Sequence, residues 1–253
     1  MVEKVVGGLV LALLTFAGRT LWQNRRHLRL LLVLATPWRQ VRVSVAVLLR
    51  VHDEDRFVLF TAPTRPGAFG PPGGVVKYRE PAFPALERLG FACERRNSAA
   101  MRFDLRGFLP AARVLAFARW LQRGDGREPW TEGLRRELLE ELGEVGHDEL
   151  AEAARNVAFQ HVRRVIDGPM QVAGESYSQI RFFEVFDLVP DRSEAAELRA
   201  TLIALANDAT EVSVIGATRR EITLGRAGVH VVLPQSAFLI GDRRYRGDIH
   251  PVS

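Results

Sequence analysis

GREPWTEGLRRELLEELGE, residues 126–144, is the stretch whose reading decides the fold. Leu134, Leu138 and Leu142 recur every fourth residue, which predicts an amphipathic helix over Glu128–Leu142 with an apolar stripe for a sheet. On such a helix Glu137 and Glu141 are four apart and Glu140 falls between them, so three carboxylates share one edge. Like charges so placed repel. Either Arg135 and Arg136 pair with them in an ordinary charged face, or a hard divalent cation removes the penalty. A cation of that kind takes oxygen ligands, keeps several waters and bridges substrate phosphates. Gly143 is placed to end the helix in the left-handed conformation.

Working outward, VRVSVAVLL (residues 41–49), the turn-like HDED and RFVLFTAP read as an antiparallel strand pair. Further strand patterns cover 156–166, 180–189, 212–215 and 229–233, and helix patterns cover 111–123 and 193–207. Strands mixed with well-separated helices indicate an α+β or α/β sandwich around one central sheet.

From Glu128 the chain runs through seven residues to Arg136-Glu137-Leu138-Leu139-Glu140-Glu141-Leu142-Gly143. That run matches the Nudix box, GX5EX7REUXEEXGU, and on it the chain resembles the Nudix family, which implies an α+β fold, an α/β/α sandwich with a mixed sheet. Two positions depart from the pattern: Glu144 replaces the final aliphatic residue, and Gln122 stands where the opening glycine belongs. A Pro72-Gly73-Gly74 sequence lies earlier, behind the strand pair. The box therefore reads as split, with Gly74 as its glycine 54 positions before Glu128 and an inserted segment at about 79–126. With its apolar amino terminus, PPGGVVKY and the inserted DLRGFLP, the chain is similar to membrane-anchored Nudix proteins associated with bacterial CD-NTases. These are the SMODS-associated NUDIX group of CBASS antiphage systems.

The resemblance implies Glu137, Glu140 and Glu141 as ligands of Mg²⁺ or Mn²⁺, one of them able to act as base toward water. It implies Arg136 paired with Glu128, and Gly73 and Gly74 allowing the backbone close to metal or phosphate. Glu175 and Glu184 are candidates for a further ligand. Two functions follow. One is a membrane effector whose cytoplasmic domain binds a nucleotide signal, such as a cyclic oligonucleotide, and triggers membrane disruption through self-association. The other is a tethered Mg-dependent hydrolase of nucleoside diphosphate derivatives.

Charge and composition bound these readings. Of 253 residues 47% are hydrophobic and 26% charged, which excludes collagen-like and wholly disordered chains, and the single Cys93 excludes an intrachain disulfide framework. The formal net charge is +5, yet seven arginines lie between Arg19 and Arg50 with no acid among them. Residues 1–18 are neutral, so residues 51–253 carry −2. That distribution argues against duplex nucleic acid, which calls for a basic folded face.

The apolar run from Val5 to Gly18 extends to Trp22 if Arg19 snorkels, spanning roughly 27 Å as a helix against a hydrocarbon core of about 30 Å. Residues 1–39 are thus expected to be a membrane anchor with a basic juxtamembrane segment, and residues 40–253 a cytoplasmic domain at the bacterial inner membrane. A cleaved signal peptide fits less well because the cations follow the apolar core. A buried core helix is the other alternative, and Leu28–Trp38 leaves a two-pass hairpin open. Among the remaining polar residues, His161 reads as an ordinary strand histidine, His147 as a helix-end cation, and Cys93 as a packing residue. Arg163, Arg164 and Arg181 read as solvated strand charges able to meet phosphate.

Overall fold

The computed structural model describes residues 39–63, 65–94, 101–172, 174–189 and 193–247, together with Thr15. Apart from Thr15, the expected membrane segments, Val5–Trp22 and Leu28–Trp38, lie outside the described residues. Among the described residues no helix is long and apolar enough to cross a membrane.

Two mixed sheets, where one was expected, form the α+β core. Strand β1 (Gln40–Arg50) is central to the first. It pairs in parallel with β8 (Ser178–Leu188), which pairs with β7 (Phe159–Gln171), and antiparallel with β6 (Arg106–Pro110), which pairs with β5 (Ala92–Cys93). The second sheet gathers β2 (His52–Asp53), β3 (Arg56–Thr61), β4 (Ala68–Gly70), β9 (Val214–Thr218), β10 (Arg226–Ala227) and β11 (His230–Val232). The expected hairpin survives only at its tip, where His52 and Asp53 face Phe57 and Arg56. Beyond the tip β1 and β3 separate into different sheets, because both faces of β1 are buried. Val41, Val43, Val45, Val47 and Leu49 enter one apolar cluster, and Ala46 and Leu48 enter the other. With side chains alternating at period two, a strand covered on both sides joins two cores.

The helices flank these layers. Those at α1 (Phe83–Arg88), α2 (Val114–Arg123), α3 (Trp130–Glu144), α4 (Ala151–Asn156) and α5 (Ser193–Asn207) send residues into the first cluster. Helices α6 (Arg219–Leu224) and α7 (Ala237–Ile240) pack in the second. Leu134, Leu138 and Leu142 of α3 are fully buried against the first sheet. The inserted residues join this core: β6 hydrogen-bonds β1, and Phe117 and Trp120 of α2 are buried in it.

Helix α3 does not stop at Gly143. It runs to Glu144, and Gly146 takes the left-handed conformation at φ +84°. There the Gly146 N–H donates to Gly143 and the His147 N–H to Leu142, satisfying the last carbonyls.

Candidate functional site

The site forms where β1 changes partners. Strand β6 accompanies β1 only as far as Ser44. Beyond that the loop Pro72–Val76 takes over the vacated edge: Val47 donates to the Gly74 carbonyl at 2.9 Å, Leu49 to the Pro72 carbonyl at 2.8 Å, and Val76 to the Val45 carbonyl at 3.0 Å. The backbone requires glycine at Gly73, and at Gly74 its absent side chain leaves room for the Glu137 carboxylate. A Cβ on Gly73, whose φ is +129°, would lie 2.2 Å from the Val47 carbonyl oxygen, and one on Gly74 would lie 1.8 Å from Glu137 Oε2.

Helix α3 lies against this loop. Glu141 accepts the Gly73 N–H at 2.7 Å. Burial pushes its carboxyl well above the usual range; the Gly73 bond opposes that, and Glu137, Glu144 and Glu140 add to it. Burial likewise raises Glu137, against the pull of Arg136. Arg136 joins the acids: it bonds Glu128 at 2.7 Å, Glu137 at 2.6 Å, the Val75 carbonyl at 3.0 Å and Glu140 at 3.5 Å. Burial opposes its charge, but the bonds to Glu128 and Glu137 hold it more firmly protonated than an ordinary arginine. Glu128 also accepts the Lys77 N–H at 2.7 Å and so ties the start of the helix to the strand-like segment after the loop. Gly133 leaves room for it, since a Cβ there would approach Glu128 Oε1 to 2.9 Å.

Among the described residues no three His, Cys, Asp or Glu side chains stand together as a ready-made metal cage. Glu137 and Glu140 turn to Arg136, and Glu141 to Gly73. The donor set nevertheless fits a hard divalent cation: the acids are oxygen donors, and Glu141 carries an ionisation penalty to which its neighbouring acids contribute.

A cleft of about 780 Å³ opens beside the loop, lined in part by Gly73, Gly74 and Glu141. Arg42, Arg65, Arg106 and Arg181 also line it, and among the described residues Glu141 is its one acid. Arg106 on β6 and Arg181 on β8 are both in register with Ser44 on β1, so Arg106, Ser44 and Arg181 form a row across three adjacent strands. Strands lie about 4.8 Å apart, which sets the two arginines roughly 10 Å apart along that row. Arg42 is held by Glu94 at 2.6 Å and Gln179 at 2.5 Å.

Other sequence candidates fall elsewhere. Arg181 lines the cleft, whereas Glu184 points to the opposite face of β8 and pairs with His161 at 2.6 Å and with Arg164. Glu175 sits in the turn between β7 and β8, outside the residues that line the cleft. His147 bridges Glu149 and Glu211, each at 3.0 Å. Cys93 is half-buried beside Tyr78, and burial raises its thiol.

The basic segment divides as well. Arg42 and Arg50 belong to β1, Arg50 pairs with Asp187 at 2.6 Å, and the Arg39 carbonyl accepts the Ala111 N–H at 2.9 Å, so three of the seven clustered arginines are joined to the folded domain. Sequence reading missed Arg42, Arg65 and Arg106 as site residues. The signal for Arg106 lay in the strand pattern of DLRGFLP, which did not reveal that β6 pairs beside β1.

A glutamate-bearing helix docked on a glycine loop beside a mixed sheet defines a Nudix-type domain. The chain belongs to the SMODS-associated NUDIX domain family, whose model matches residues 40–240. This places it among Nudix-type domains linked to CD-NTase systems, and Nudix domains generally use divalent metals. A search of curated proteins finds no match.

Proposed function

We propose that this protein is the nucleotide-sensing membrane effector of a CD-NTase-linked antiphage system. A phosphorylated nucleotide, of which a cyclic oligonucleotide is one form, occupies the arginine cleft. The observation that carries this reading is the row Arg106, Ser44 and Arg181 facing a cleft whose rim is the Gly73–Gly74 loop. Guanidinium groups bind phosphate oxygens in pairs, and a cleft of about 780 Å³ lies within the range of small-molecule sites, roughly 300–1,000 Å³.

Residues 1–39 anchor the domain at the inner membrane, and occupancy of the cleft changes how the anchors associate. Full-length protein in liposomes should release an entrapped dye when a cyclic oligonucleotide is added, and a chain beginning at Gln40 should bind the same ligand without releasing dye. Dye release by the shortened chain, or no nucleotide binding by either chain, overturns the reading.

The cluster of Glu137, Glu140 and Glu141 favours a second activity, metal-dependent hydrolysis of a phosphoanhydride. Those acids with the Gly73–Gly74 backbone would hold Mg²⁺ or Mn²⁺, which when bound neutralises phosphate charge and acidifies water. Arg136 would keep the helix at the loop through Glu128 and Val75. The double change Glu140→Gln with Glu141→Gln separates the two activities. Loss of hydrolysis with signalling retained leaves sensing as the effector function.

A further inference from the structure

The face of β8 turned away from the arginine cleft carries a second, smaller cleft of about 380 Å³. Gln179, Arg181 and Phe183 point to the first cleft, and Glu184 and Phe186 to the second, as the period of two requires. The first turn of α3 closes the second cleft with Pro129 and Trp130.

Its polar floor is an organised group of charges. The Glu184 side chain is 5% exposed, accepts from Arg164 Nε and pairs with His161 Nε2 at 2.6 Å. One buried carboxylate thus fixes the Arg164 guanidinium and the His161 ring, whose own side chains are 33% and 48% exposed. Among the described residues the Nη groups of Arg164 have no further hydrogen-bond partner. Arg127 lies 3.6 Å from the centre of the Trp130 ring, and carbonyls of Leu121 and Glu128 take its Nε and Nη1. Burial lowers the Arg127 pKa to about 10, so its charge is poorly solvated. Two arginines against one carboxylate leave the cleft net positive, and among the described residues no other acid lines it. Its walls at Pro129, Trp130 and Phe186 are apolar, with the His161 ring edge-on to Phe186 at 5.3 Å.

We propose that this cleft is a second ligand site, which takes a planar aromatic group bearing a single phosphate, of the size and chemistry of a nucleoside monophosphate. Arg164 and His161 hold the phosphate and the apolar wall receives the base. Glu184 is a positioning residue that aims both side chains. The site adjoins the anchor of the Nudix helix, because Arg127 bonds the carbonyl of Glu128, whose side chain holds Arg136.

The test uses the full chain carrying Arg106→Ala and Arg181→Ala, which disable the first cleft, and titrates adenosine 5′-monophosphate and inorganic phosphate by calorimetry. Saturable binding of the nucleotide should remain and exceed that of phosphate about tenfold or more, because the wall adds apolar burial. Adding Arg164→Gln and His161→Asn should weaken nucleotide binding about tenfold or more. No saturable binding in the disabled background, equal affinity for phosphate, or indifference to the second pair of changes each overturns the proposal. Photolabelling of the unaltered chain with an azido-adenosine monophosphate supplies a readout that does not depend on how the variants fold. Labelled peptides should contain Trp130 or His161, and labelling confined to peptides of the first cleft overturns the site.

Discussion

The acids and the arginines at the main cleft are written into the chain in opposite ways. The acids sit on one contiguous helix turn, Glu137 to Glu141, of which Glu141 lines the cleft. The basic wall is assembled from Arg42 on β1, Arg65 between β3 and β4, Arg106 on β6 and Arg181 on β8. The acids are tied to Arg136 and the Gly73 N–H, and Arg42 to Glu94 and Gln179, while all four arginines line the open volume. Affinity for an anion is therefore expected from the scattered arginines, and the stability of the loop from the contiguous acids.

Changing both Arg106 and Arg181 to Ala should break this division most severely. Nucleotide affinity measured by calorimetry should fall about 100-fold or more, since each charged hydrogen bond contributes about 1.5–3 kcal/mol, while Mg²⁺ binding is retained. If affinity is unchanged, the basic wall is not the phosphate site.

Gly73→Ala comes next. It drives a Cβ into the Val47 carbonyl at a φ that side chains avoid, and should cost about 3 kcal/mol in chemical denaturation. A smaller and opposite effect is expected of Glu141→Gln. The folded-state pKa of Glu141 is raised, so holding it ionised costs stability increasingly as pH rises above its ordinary 4.5. The substitution should raise the melting temperature by about 2–4 °C at pH 8 and have no such effect at pH 4. A fall at pH 8 would show that the Gly73 bond outweighs the burden.

His147→Gln should have the smallest effect, about 0.5 kcal/mol. Burial disfavours the imidazolium, but hydrogen bonds with Glu149 and Glu211 outweigh it and raise the pKa. The contribution is therefore complete below the ordinary 6.5 and disappears as pH rises through the raised value. Denaturation at pH 6 and pH 9 checks the sign: equal losses at both would mean that the ion pairs contribute nothing.

Much of the architecture was legible where the pattern was long. The helices expected over 111–123, 128–142 and 193–207 appear at Val114–Arg123, Trp130–Glu144 and Ser193–Asn207, and the strand patterns near 156–166 and 180–189 appear as β7 and β8. Short elements such as β4, α4 and α6 carried too few residues to show a period. The end of α3 was misplaced because Gly143 and Gly146 are both plausible stops, and Gly146 alone takes the left-handed conformation. The single expected sheet became two because VRVSVAVLL gives the same alternation whether one face of β1 is solvated or both are covered.

By itself the sequence determined the Nudix helix, its three glutamates and the glycine pair, since motif spacing along one helix or loop fixes which residues share an edge. Tertiary structure decided that Arg106 and Arg181 flank Ser44, that Arg42 and Arg50 belong to the domain, and that Glu184 faces away from Glu141. Those relations depend on strand order and register between segments more than 60 residues apart, where hydrogen bonding between strands, not spacing along the chain, sets which side chains meet.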